Sequence, residues 1–292
     1  MRLATRSAGL LAVFSGHRHE KTGSGGIRLA GIVSACLLMV VAAGSATADQ
    51  IALTDGNSTL QIDTGTALGA YGWTVSGVNH LSQQTTWYRI GAAGGEALLA
   101  SLPQTALSVA GNTATVQYTD PRFRIDATYT THGGAPGTAD IHQIYTISNI
   151  GGGLLDLHLF QYNDFDVDGE FDNNQVSITG GNTATQTGPL GGAVVSVAGR
   201  SPSRYEAAVY SHVLDGLTDL SPTALANVAG PIFGDGTYGF QWDITLGPGG
   251  VTQFTLDTAV NAIPEPAGLA FLALGMALFS GRYRGNRRRI GR

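Results

Sequence analysis

The chain has 292 residues, 43% of them hydrophobic and only 13% charged, against roughly 25% charged in an ordinary soluble protein. Its 42 glycines, about twice the usual share, follow no Gly-X-Y period, which excludes collagen, and its apolar runs sit only near the two ends, which excludes a polytopic membrane protein. Residues 49–263 hold five arginines, no lysine and 19 acidic residues, a net charge of -14 that argues against nucleic acid as a partner, because Lys and Arg on phosphate supply most of that affinity.

In chain order, basic residues ending at Arg28 precede the apolar run Leu29–Ala43, and Ala46-Thr47-Ala48 forms an A-x-A cleavage site before Asp49. Residues 1–48 therefore read as an export signal cut between Ala48 and Asp49. The only cysteine, Cys36, lies within that signal, so neither a disulfide nor a thiol nucleophile is expected in the mature body.

The body, residues 49–262, is β-patterned throughout. Alternating apolar and polar stretches predict strands at Tyr71–Val78, Thr113–Thr119, Arg122–Thr131, Ile141–Ser148, Leu154–Phe165, Ala193–Val197, Tyr238–Thr245 and Val251–Val260. Gly111-Asn112, His132-Gly133-Gly134, Gly151-Gly152-Gly153, Gly180-Gly181-Asn182 and Gly247-Pro248-Gly249-Gly250 supply turns between them. Short helices are predicted at Glu96–Ser101 and after Ser221-Pro222, where a Ser cap precedes proline at the first helical position. No βαβ alternation and no fixed-period repeat is present, so the expected fold class is all-β, an antiparallel β-sandwich.

One stretch within the body is strongly acidic: Asp164, Asp166, Asp168, Gly169, Glu170 and Asp172 fall at positions 1, 3, 5, 6, 7 and 9 of an EF-hand pattern, with Gln175 in place of the bidentate Glu at position 12. Carboxylates at i, i+2 and i+4 of a strand stand roughly 7 Å apart, too far for one ion, so a calcium site requires the chain to curl at Asp168-Gly169. A strand that ends in an acidic, solvated hairpin is the other reading, and both stay open. No cofactor other than calcium is expected.

Catalytic machinery is sparse. The histidines at 80, 132, 142, 158 and 212 are scattered, and neither H-E-x-x-H nor G-x-S-x-G occurs in the body. No catalytic residue is assigned. An enzyme reading needs paired carboxylates from Asp164, Asp166 and Glu170, and a sugar-stacking platform from Trp73, Trp87, Tyr88 and Trp242. Trp87, Trp242 and Asp166 around one concavity would favour that reading.

At the C-terminus, residues 263–292, Ile263 and the triplet Pro264-Glu265-Pro266 lead into fifteen apolar or small residues, Ala267–Gly281, and then an arginine cluster at 282, 284 and 287–289. As a helix the apolar run is about 22 Å long, short of a hydrocarbon core of about 30 Å unless Tyr283 and the arginines snorkel to help it span. The arginines should stay cytoplasmic, which puts the acidic body on the far side of the membrane. This order of parts resembles the PEP-CTERM sorting signal of Gram-negative bacteria, over about thirty residues. The resemblance implies Pro264, Glu265 and Pro266 as the recognition motif, exosortase as the processing partner, and a transmembrane sorting helix that is removed after export, so that the membrane is touched only before processing. The body itself resembles, loosely, exported proteins with the same signal, through Trp87-Tyr88-Arg89-Ile90-Gly91, Phe160–Asp168 and Phe240-Gln241-Trp242-Asp243.

The expected protein is thus a cell-surface or extracellular-matrix species running from near Asp49 to near Pro266. Two functional classes remain: a non-enzymatic matrix protein associated with exopolysaccharide, and a secreted carbohydrate-active enzyme or calcium-dependent glycan-binding module.

Overall fold

The computed structural model describes residues 50–261; the signal segment with Ala48 and Asp49, and the tail with Pro264, Glu265 and Pro266, lie outside the described residues. The described strands are β1 (Gln50–Asp55), β2 (Ser58–Asp63), β3 (Gly69–Val75), β4 (Val78–Asn79), β5 (Gln83–Ile90), β6 (Ala97–Leu98), β7 (Gln104–Ala110), β8 (Thr113–Thr119), β9 (Phe123–Gly133), β10 (Thr138–Asn149), β11 (Leu155–Asp164), β12 (Asn174–Thr179), β13 (Thr183–Thr187), β14 (Ala193–Ala198), β15 (Arg204–Val209), β16 (Ile232–Gly234), β17 (Gly236–Leu246) and β18 (Val251–Asn261), with one α-helix, α1 (His212–Thr218). Sheet A runs β1-β2-β3-β5-β11-β17-β15, with β4 on β3 and β6 on β5, and sheet B runs β16-β12-β13-β14-β18-β10-β9-β8-β7. The strands of these orders pair antiparallel, apart from a short parallel contact of β3 with β5. No described helix is long and apolar enough to cross a membrane.

The two sheets close on one another because their strands alternate. Along β8 and β9 every second residue, including Ala114, Val116, Tyr118, Phe123, Ile125 and Ala127, is buried in a core shared with Leu157, Leu159, Phe240 and Trp242 of sheet A. An aromatic row runs through the layer: Trp242 stacks on Phe254 at 4.4 Å between centroids, and Phe254 on Tyr145 at 5.1 Å. Polar groups cross the same layer. Gln143 Nε2 donates to Gln84 Oε1 at 2.8 Å, and Tyr145 Oη donates to Gln161 Oε1 at 3.0 Å, which also accepts from Thr86 at 2.8 Å. In a low-dielectric layer such bonds fix one lateral placement of the sheets, since any slip would leave buried amides unpaired.

Two expectations are corrected. Glu96–Ser101 is not a helix but β6 followed by a single 3-10 turn, Leu99–Ser101. Ser221-Pro222 starts no helix either; the helix is α1, which ends before it, and the chain from 219 to 228 is an irregular strap.

Candidate functional site

Strand β11 organises the site. Leu155, Leu157, Leu159, Gln161 and Asn163 point between the sheets, so Asp156, His158, Phe160, Tyr162 and Asp164 point to the outer face of sheet A. Register places Phe160 between Trp87 and Gln241, and His158 between Arg89 and Asp243. On that face Trp87, Phe160, Tyr162 and Ala208 form a second apolar cluster, closed from above by Val213 and Leu217 of α1 and by Leu225 of the strap. Gly239 permits the approach: a Cβ there would stand 3.1 Å from Val213 Cγ1 and 3.2 Å from Leu225 Cδ1.

The strap is stapled by side chains of the sheet. Arg89 Nη1 donates to Thr223 O at 2.8 Å and pairs with Glu96, whose Oε1 also accepts from Thr223 N at 2.9 Å. Gln241 Oε1 accepts from Leu225 N at 3.0 Å, and Glu206 Oε2 accepts from Ala226 N at 2.8 Å. The Arg89 guanidinium also lies 5.7 Å over the Phe160 ring.

Between α1 and the strap lies an open groove of about 560 Å³, lined by Glu206, His212, Asp215, Asp219 and Thr223 among others. That volume is in the range of small-ligand sites. Glu206 Oε1 stands 3.2 Å from His212 Nε2, and Ser211 Oγ donates to Asp215 Oδ2 at 2.7 Å. The groove therefore offers carboxylate acceptors beside one exposed imidazole, a set suited to hydroxyl or amine groups. Nearby on the same face, His158 Nδ1 bonds Asp243 Oδ1 at 2.6 Å. Burial pushes the Asp243 carboxyl up, but hydrogen bonds from His158 and Gln241 outweigh it and hold the group below its ordinary value.

The acidic stretch takes another form. The chain does curl at Asp168-Gly169, where both residues have positive φ. The curl turns Asp168 into the loop that precedes β14. Asp168 Oδ2 accepts from Leu190 N and Gly192 N, both at 3.1 Å, and a Cβ on Gly192 would meet Asp168 Oδ1 at 2.0 Å. Glu170 and Asp172 are exposed, and Asp172 Oδ1 accepts from Asn173 N. Among the described residues no group of three or more His, Cys, Asp or Glu is arranged to hold a metal ion. Asp168→Ala should cost about 1 kcal/mol in chemical denaturation by removing the acceptor of the part-buried Gly192 amide and of the exposed Leu190 amide, with Asp168→Asn costing less because one acceptor survives; equal stability of Asp168→Ala and parent would contradict this role.

The acids that do influence one another are Asp164, Asp166, Asp235 and Asp172, the last through Asp235, which burial and the Asp172 charge raise. Burial first, then the charges of Asp166 and Asp235, push Asp164 up to about 7; burial and Asp235 likewise raise Asp166. Asp235 was not found from sequence. It precedes β17, whose Thr237 pairs with Asp164, and an acid between two glycines at a strand start was its only signal. Glu206 and His212 were also missed, since neither belongs to a motif. The aromatic platform does not form: Trp73 and Trp242 lie in the inter-sheet core, while Trp87 lies on the opposite face of sheet A beneath α1.

No protein-family profile and no curated protein matches the chain. Solved structures do. A bacterial glucoamylase complexed with acarbose is similar at TM-score 0.54 and 9% identity, covering 78% of this chain and 36% of that one. A candidate aldose 1-epimerase of Escherichia coli K12 is similar at TM-score 0.52 and 10% identity, covering 74% of this chain and 100% of that one. A GalM/aldose epimerase homologue from C. elegans is similar at TM-score 0.50 and 8% identity, again over 74% of this chain and 100% of that one. The chain thus spans about a third of the glucoamylase and the full length of the two epimerase-type proteins. At these identities the likeness establishes the fold alone, an all-β sandwich.

Proposed function

We propose that this is an exported glycan-binding protein of the cell surface or extracellular matrix, released by exosortase through Pro264-Glu265-Pro266, with the groove beside α1 as its sugar subsite. The observation that carries the reading is the groove itself: ligand-sized, and lined by Glu206, His212, Asp215, Asp219 and Thr223 on a sandwich shared with sugar-handling proteins. Charge narrows the ligand. Each arginine of the body already has a partner: Arg89 has Glu96, Arg122 has Asp120, Arg124 has Asp126, Arg200 has Thr252 and Arg204 has the Leu225 carbonyl. With a net charge of -14 and no lysine, the body repels uronate or sulfate polymers and accepts neutral or amine-bearing sugars.

The test is a glycan array probed with the exported protein, its ends fixed by intact mass near Asp49 and Pro266, with and without calcium. Binding to neutral or amino sugars is expected. Glu206→Gln should weaken it about tenfold, the worth of one charge-assisted hydrogen bond, with His212→Ala weakening it less. Binding confined to polyuronates, or unaffected by Glu206→Gln, would refute the subsite.

A secreted carbohydrate-active enzyme is the second reading, favoured by Asp164: a carboxylic acid held near neutral pKa beside Asp166 and Asp235 has the protonation a general acid needs. Against it stands the burial of Asp164 and the split of the tryptophans between two faces. Release of new reducing ends from a bound glycan, lost in Asp164→Asn, would decide for the enzyme.

A further inference from the structure

The groove between α1 and the strap is rich in acceptors and poor in donors. Thr223 Oγ1 already donates to Gly216 O at 2.6 Å, and the strap amides of Thr223, Leu225 and Ala226 donate to Glu96, Gln241 and Glu206. His212 turns Nε2 to Glu206 Oε1. The Asp215 carboxylate accepts one hydrogen bond, on Oδ2 from Ser211, and that of Asp219 accepts one, on Oδ1 from the Ser221 amide, so one oxygen of each is left for a ligand.

Charge is distributed in the same sense. Asp215 and Asp219 stand four residues apart, one turn of helix, where like charges repel. Asp219 closes α1 at the end where the helix dipole favours a cation, and the last turn holds no basic residue. Arg89 and Arg204 reach the strap at Thr223 O and Leu225 O, yet neither lines the groove. Glu206, Asp215 and Asp219 thus face a single imidazole, that of His212. Sequences depart from local charge rules in this way at functional positions.

We propose that the ligand of this groove is an amine-bearing sugar whose ammonium is held by Asp215 and Asp219, an assignment that rests on the groove being the sugar subsite. An ammonium brings three donors, a positive charge and no acceptor, which is the complement of what the groove offers. N-acetylation replaces it with one N–H and a carbonyl that needs a donor, and a uronate adds charge of the wrong sign. Because a charge-assisted hydrogen bond is about twice as strong as a neutral one, the free amine should win over its acetylated form by at least about tenfold.

Calorimetric titration of the exported protein with a β-1,4-linked glucosamine hexamer and with its N-acetylated form tests this. At pH 6 and low salt the amine hexamer should bind at least about tenfold tighter, and at pH 9, where the amines are neutral, that advantage should vanish. Over this rise the groove's own groups can only become more negative, which would strengthen an ammonium, so the loss belongs to the sugar amine. Asp215→Asn with Asp219→Asn should abolish the preference while the melting temperature stays near the parent's; if the double variant folds poorly, Asp219→Asn alone is read instead. Asp140→Asn with Asp257→Asn removes the same charge from exposed positions on sheet B and should leave the preference intact. Equal loss in both double variants would reduce the effect to diffuse attraction by the body and overturn the proposal. Equal affinity for the two hexamers, with binding weakened by Glu206→Gln, would overturn the amine assignment and leave the subsite standing, whereas a protein that binds no glycan at all would overturn both.

Discussion

Replacing Arg89 with alanine should destabilise the body by about 3–5 kcal/mol, measured by urea unfolding with an unchanged m-value. The Arg89 and Glu96 side chains are 7% and 0% exposed, and Glu96 Oε2 has no hydrogen-bond partner. Glu96 therefore depends on the guanidinium for its charge balance, and removing Arg89 strands a carboxylate where water does not reach. The strap suffers as well, because Thr223 O loses its donor and the lid over Trp87 and Phe160 loosens. Removing both charges separates the two contributions. Arg89→Met with Glu96→Leu leaves no buried ion and should recover most of the loss, since apolar replacement of a buried pair is often neutral or better. A cost below about 1 kcal/mol for Arg89→Ala would mean that water reaches Glu96 and that the pair behaves as a surface one.

How much of this was legible depends on whether the information was local. Strand Thr113–Thr119 was read to the residue, because Ala114, Val116 and Tyr118 alternate with polar residues and Gly111-Asn112 supplies the turn before it. Strands Asn174–Thr179 and Thr183–Thr187 were not, since Val176, Ile178 and Ala184 are too few apolar residues among Thr, Ser and Gln to mark a period. Strands β1 and β2 did carry a signal, Ile51, Leu53, Leu60 and Ile62 around Asp55-Gly56-Asn57, that was passed over. The helix was misplaced because Ser221-Pro222 has good starting chemistry locally, yet the backbone of Thr223 beyond it is claimed by Arg89 and Glu96 from more than a hundred residues away. Helix α1 itself contains Gly216 and buries only Val213 and Leu217, a weak pattern. The site was least legible of all. Sheet order β5-β11-β17-β15 brings Arg89, His158, Asp243, Gln241 and Glu206 onto one face, and no spacing within any one strand announces that juxtaposition.

Asp164 should make the body less stable as pH rises from about 4 to about 7, and Asp164→Asn should remove that contribution. The sign follows from proton binding. Burial and the neighbouring charges of Asp166 and Asp235 raise Asp164 to about 7 in the folded state, against an unfolded value near 4. Between those limits the folded chain holds a proton that the unfolded chain has released, so raising the pH favours unfolding. Above pH 7 both states are ionised and the folded one carries the full burden of a carboxylate that is only 6% exposed. Three pH units correspond to about 4 kcal/mol, which is the upper bound on what the neutral amide recovers. At pH 4 the protonated acid and the amide are nearly equivalent in shape and hydrogen bonding, and parent and Asp164→Asn should unfold at similar urea concentrations. At pH 8 the variant should be the more stable by as much as that 4 kcal/mol. Asp120 and Asp243, held below their ordinary values by their partners, and His80, held below its own by burial, contribute in the opposite sense, with stability lost as pH falls, and they act equally in both proteins. The comparison of variant with parent therefore isolates Asp164, and a stability difference that is the same at pH 4 and pH 8 would show that its carboxyl does not titrate in this window.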